Sequence, residues 1–148
     1  MKLPSAASLA VIGLCLIMPS AFAQTRPASP LSSQAEIERA LDEGATVMLS
    51  LDLSRCRADG TTSRSGKAKG GLTIGAYLVM DGLLSFSDSH PTVGKNGEPL
   101  WQFLRYQVKA DQTVTFTADM FQLPGYTRIG ERISYQCNIN EGIRFFRQ

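Results

Sequence analysis

Histidine and tryptophan each occur once among the 148 residues, and cysteine three times. So small a supply of imidazole and thiol excludes the local zinc patterns that need several His or Cys ligands, and no metal or cofactor is implied. There is also no C-x-x-C pair, no phosphate-binding glycine loop and no G-x-S-x-G nucleophile elbow. Neither sign of charge dominates. Fifteen basic side chains face thirteen acidic ones, for a net charge of +2, which argues against a dedicated nucleic-acid binder. The longest apolar run, Leu9 to Met18, is too short for a stable membrane span.

That run reads instead as export chemistry. Lys2 supplies a positive start, Leu9 to Met18 the apolar core, and Ala21-Phe22-Ala23 a small-residue cleavage pattern before Gln24. Residues 1–23 are therefore predicted to be a signal peptide, which makes the protein periplasmic or secreted and leaves no integral membrane segment in the mature chain. A lipid anchor on Cys15 is the competitor, but Leu14 is bulkier than the small residue usual before a lipidated cysteine. The remainder is one domain's worth of chain, large enough for a real core. It keeps two cysteines, Cys56 and Cys137, and an even count in an exported protein favours a disulfide between them. Closing a loop of about eighty residues stabilises a fold by roughly 4 kcal/mol in the chain-entropy picture.

Residues 24–33, rich in Pro, Ser and Ala, are expected to be a flexible leader to a single domain over 34–148. Ser33 and Glu36 have capping-box spacing ahead of Ile37, Ala40 and Leu41, with Gly44 beyond, so one short amphipathic helix should open the domain. From Val47 the apolar period changes to two, and this strand delivers Cys56 to its far end. Arg55 to Lys69 holds five basic residues among Gly, Ser and Thr, and reads as a solvated loop.

The strongest local signal is Gly70 to Thr92, two apolar runs joined by Asp81-Gly82. A tight hairpin turn needs positive φ at both central positions, which this pair provides. Counting outward sets Met80 against Leu83, Val79 against Leu84 and Tyr77 against Phe86 on adjoining strands. The first strand is apolar on both sides and should be interior; the second carries Ser85, Ser87 and Ser89 on a face near solvent. Further turns at Lys95 to Glu98, Ala110 to Gln112, Leu123 to Tyr126 and Asn140 to Gly142 separate alternating segments. In them Leu104, Tyr106 and Val108 share one face, and Trp101 and Phe103 begin the other. Cys137 has the parity of Ile133, Tyr135 and Ile139, so its sulfur should point inward. Seven short strands at regular spacing predict a mainly β fold, an antiparallel meander closed as a barrel or sandwich.

Asp88-Ser89-His90 contains the three side-chain types of a hydrolase triad, but neighbouring strand residues point to opposite faces. Ser89 thus faces away from His90, and an Asp88/His90 pair is what remains, with the carboxylate able to orient the imidazole. An ordinary polar strand end would look the same. Candidate ligand contacts are Tyr77, Phe86, Trp101 and Arg105. Arg105 would hold an anion or pair with Asp88 or Asp119, and surface ion pairing is the commoner fate.

Several segments taken together resemble the VirK family: Gly70-Gly71-Leu72, Asp81-Gly82, Phe86 to His90, Phe103 to Tyr106, Leu123 to Tyr126 and Tyr135 to Phe146. The resemblance runs from about Ile37 onward. It implies a small exported protein of Gram-negative, often plant-associated bacteria, associated in some with a virulence regulon, and it carries over no catalytic residue. The expected function is a non-enzymatic exported factor that binds an envelope component, a host molecule or a small ligand. The alternative is a small secreted hydrolase using Asp88 and His90.

Overall fold

A computed structural model describes residues 28–60 and 66–148. The expected signal peptide, its cleavage site, residues 24–27 of the expected leader and residues 61–65 of the basic loop, Arg64 among them, lie outside those residues. The elements run β1 (Ser29–Leu31), α1 (Gln34–Asp42), β2 (Val47–Asp52), a 3-10 turn (Leu53–Arg55), β3 (Arg57–Ala58), β4 (Lys69–Thr73), β5 (Tyr77–Met80), β6 (Leu83–Val93), β7 (Pro99–Val108), β8 (Thr113–Gln122), β9 (Thr127–Ile139) and β10 (Gly142–Arg147).

The fold is mainly β, as expected, and built as one curled sheet. The strands follow the order β4-β2-β10-β9-β8-β7-β6-β5, with β1 added on β10 and β3 on β9. The two ends of this path, β4 and β5, are consecutive in the chain and separated by only Ile74, Gly75 and Ala76. The four steps from Thr73 to Tyr77 span no more than about 14 Å, so the sheet has to curl until these strand ends come close. The result is a half-barrel. Nearly all pairings are antiparallel; the exception is a two-position parallel contact between β9 and β10 across the Asn140-Glu141 turn.

The Asp81-Gly82 hairpin forms with the expected register, Met80 on Leu83, Val79 on Leu84 and Tyr77 on Phe86. Both turn residues have positive φ, 52° and 75°. Its first strand is not interior, however. The run Gly70 to Met80 is a corner: its first half pairs with β2, its second with β6, and β5 is an edge strand with Leu78 and Met80 exposed. Gly71 permits the first half of that corner, since a Cβ there would lie 2.6 Å from the Leu49 carbonyl oxygen.

The described parts of two other segments are more ordered than their composition suggests. Where a flexible leader was expected, Ser29–Leu31 pairs with Phe145, Phe146 and Arg147, because β10 offers backbone groups to pair and Leu31 gains a buried seat. The expected basic loop contributes the 3-10 turn, β3 on β9 and the start of β4.

The core fills the closed end of the curl. Leu84, Val108, Val114 and Cys137 make one row across β6 to β9, and Phe86, Tyr106, Phe116 and Tyr135 make the next. Helix α1 plugs this end. Ser33 accepts a hydrogen bond from the Glu36 N–H at 3.2 Å, and the Glu36 carboxylate accepts one from the Ser32 N–H at 2.7 Å. Ile37 and Ala40 are buried against the sheet. The Gln34 side-chain amide donates to the Gly82 carbonyl, and its own N–H donates to Gln112, both at 3.0 Å, which ties the helix start to two hairpin turns. Cys56 and Cys137 form the expected disulfide, with Cys137 buried.

Candidate functional site

Beyond the aromatic row, the inner face of β6 to β9 continues past the part that α1 and β10 cover. Its next rows place Asp88 beside Leu104, Ala118 and Ile133, then His90 beside Gln102, Met120 and Ile129. The parity that turns Leu84 and Phe86 inward therefore carries Asp88 and His90 inward too, at the level where the barrel opens. Ser89 has the opposite parity and is exposed on the outer side, so Asp88, Ser89 and His90 form no triad.

Asp88 and His90 meet. The His90 Nδ1 lies 2.6 Å from Asp88 Oδ2. A carboxylate only accepts, so the imidazole donates from Nδ1, and Nε2 is the ring nitrogen that Asp88 does not engage. Both side chains are about two-fifths exposed. They line a hollow of about 300 Å³ whose near wall includes Gln102, Leu104, Tyr106 and Met120, and whose far wall comes from Leu51, Leu53 and Ala68 to Gly71. The cavity is thus the mouth of the half-barrel, walled by both sides of the curl. A trough of about 550 Å³ adjoins it through Gln102, Met120 and Ile133 and runs out along Leu100 and Ile129 toward the β6–β7 turn. At the floor, burial pushes the Tyr106 phenol above its ordinary range, with the Asp88 charge adding to the effect. A concave, largely apolar lining with a few convergent polar groups is the usual form of a small-molecule seat.

The other sequence candidates do not gather there. Phe86 is a core ring, stacked on Tyr106 at 4.9 Å between centroids. Tyr77 sits on the edge strand, where its hydroxyl donates to Asp42 at 2.6 Å and the carboxylate raises the phenol's pKa. Trp101 and Arg105 lie on the outer face. There Arg105 pairs with Asp119, at 2.9 Å, and not with Asp88. Asp119 is nearly fully buried, and Arg128 and Arg132 reach it as well, each at 3.1 Å. Sequence reading singled out neither of these two arginines. Gly130, at φ 66°, marks the bulge in β9 that shifts the register between Ile133 and Ile129 and brings both of them to one carboxylate. Gln102 and Met120 in the mouth were also missed, though their parity with Leu104 and Ala118 was available.

The matching protein-family model is that of the VirK protein, over residues 30–126. The chain belongs to the VirK family. An uncharacterized protein of Sinorhizobium fredii is 39% identical over 117 residues, covering 78% of this chain and 81% of that one. An uncharacterized protein of Rhizobium radiobacter is 38% identical over 116 residues, covering 78% and 80%. The crystal structure of a VirK family protein from Legionella pneumophila superposes with a TM-score of 0.69 at 20% identity, covering 80% of this chain and 99% of that one. At that identity the likeness speaks for the fold. Among the described residues, no helix is long and apolar enough to cross a membrane, and no three His, Cys, Asp or Glu side chains gather as a metal site would need.

Proposed function

We propose that this VirK family protein is an exported, non-enzymatic binding factor that seats a small, partly apolar ligand in the mouth of its half-barrel, within the envelope or at the host interface. The observation that carries the reading is the mouth itself. Leu104, Met120 and Ile133 supply apolar contact, while Asp88, His90 and Gln102 stand ready to fix a polar group. An accessible apolar hollow of this kind gains from a guest at about 25 cal/mol per Å² of surface removed from water. Export rests on the residue 1–23 pattern, and intact mass of protein recovered from the periplasm or medium tests it, with Gln24 as the expected first residue.

Ligand binding is tested by calorimetry and thermal shift against extracts and a library of amphiphilic small molecules. Leu104→Asp and His90→Ala should weaken any hit at least tenfold. A hit that both variants bind as tightly as the wild type would place the guest elsewhere and sink the proposal.

The close Asp88–His90 contact favours one second reading, a hydrolase in which the imidazole activates water. Esterase, phosphatase and glycosidase screens of the wild type against His90→Ala separate the two. Turnover lost in the variant would replace binding with catalysis.

A further inference from the structure

The outer face holds a charge arrangement that the barrel mouth does not explain. One buried carboxylate, Asp119, is shared by three guanidiniums, those of Arg105, Arg128 and Arg132. Among the described residues no other carboxylate lies within ion-pair range of the three, so the cluster carries a surplus of two positive charges. One or two arginines would satisfy a carboxylate; a third adds like-charge repulsion. Each guanidinium has five N–H donors in a rigid fork, only one nitrogen of each makes the ion pair with Asp119, and these side chains are between 39% and 49% exposed. Asp119 acts as an anchor that gathers three half-exposed guanidiniums.

The surroundings say what kind of anion fits. Phe103 pairs directly with Asp119 and lies under Arg105, 4.8 Å from ring centroid to guanidinium. One row along, Trp101, Phe121 and Arg128 are cross-strand neighbours, and Tyr126 meets Trp101 edge-on at 6.0 Å. On the other side, Arg105, Arg132 and Phe103 open into a hollow of about 620 Å³ that Ser85, Ser87, Thr115, Thr117 and Gln107 also line. Oxyanion forks, aromatic surface and a row of short hydroxyl and amide side chains match the three features of an acidic sugar: its carboxylate, its C–H face and its hydroxyls. An extended polyanion such as nucleic acid fits less well, since the chain's net charge is only +2.

We propose that the outer face around Asp119 is a binding site for an acidic saccharide, with Arg105, Arg128 and Arg132 holding its carboxylate. This site is separate from the barrel mouth.

Calorimetry in 0.15 M salt against a galacturonate trisaccharide, a neutral galactose trisaccharide, inorganic phosphate and a single-stranded oligonucleotide tests it. The uronate should bind at least tenfold tighter than the neutral sugar and the phosphate. The double variant Arg128→Gln/Arg132→Gln should weaken uronate binding at least tenfold. Ser87→Glu, at an exposed position directly across from Arg105, supplies a competing carboxylate and should do the same without loss of the thermal transition; it decides the matter if the double variant fails to fold. His90→Ala should leave uronate binding unchanged, which separates this site from the mouth. No uronate binding, equal binding of the neutral sugar or of phosphate, tighter binding of the oligonucleotide, or full affinity in Ser87→Glu would each overturn the proposal.

Discussion

Replacing both Cys56 and Cys137 by alanine should cost about 4 kcal/mol, nearly all of it through the unfolded chain. The bridge joins residues 81 apart, and a closed loop of that length removes on the order of 15 cal/mol/K of chain entropy from the denatured state. For a domain of this size, that predicts a fall in Tm of about 15 °C. The structure adds a sharper test at Gly142. Its φ is 90°, and a Cβ there would lie 2.5 Å from Cys56 Sγ and 3.1 Å from the Arg55 carbonyl oxygen. Gly142→Ala should therefore cost about 1–2 kcal/mol from backbone strain alone in the disulfide-free background. With the bridge in place the sulfur cannot move aside, and overpacking adds a further 1–3 kcal/mol. Thermal and urea unfolding of the four proteins in this cycle give the coupling directly. A loss of under 5 °C on removing the bridge would refute the loop argument. Equal costs of Gly142→Ala in both backgrounds would refute the contact with Cys56.

Three further outcomes are expected. Ile37→Ala should lose about 2–4 kcal/mol in urea unfolding, because the side chain is wholly buried where α1 meets the sheet. Asp119→Ala should cost about 1–3 kcal/mol, less than a fully buried ion pair, because the three arginines are half exposed and regain water; added salt should recover part of the loss by screening their repulsion. The hydrogen bonds from Ser54, helped by Lys69, hold the Asp52 carboxyl down to about 2. A depressed carboxylate stabilises the fold above its unfolded pKa and loses that contribution as pH falls through the folded one. The stability gap between the wild type and Asp52→Asn should thus shrink between pH 4 and 2, and a gap that widens on acidification would contradict the contact.

What sequence reveals here is what is local. The Asp81-Gly82 turn fixes its own register, the Ser33 cap fixes its own helix, and alternation alone turns Cys137 inward and parts Ser89 from His90. What sequence conceals is which strand pairs with which. Gly70 to Met80 reads as one run apolar on both sides, and nothing in that pattern says that it leaves β2 for β6 halfway along. Edge status follows from topology, so the exposure of Leu78 and Met80 could not be read from their apolarity. The arginine cluster depends on the β9 bulge, which slides Arg128 and Arg132 into line with Asp119, and that register shift is not written in the alternation of β9. For Asp88 and His90, shared parity was legible, whereas their place in an open mouth followed only from where the curl stops being covered.

The seat of β10 between β2 and β9 bears on how the molecule comes into being. β10 lies C-terminal to every other strand, yet β1 and β2 pair with it, and β4 reaches the rest of the sheet only through β2. The N-terminal strands β1 and β2 consequently join the rest of the sheet only once β10 has been synthesised. Assembly is delayed by wiring, and the export proposed above would gain, in that delay, a built-in safeguard against maturing too soon.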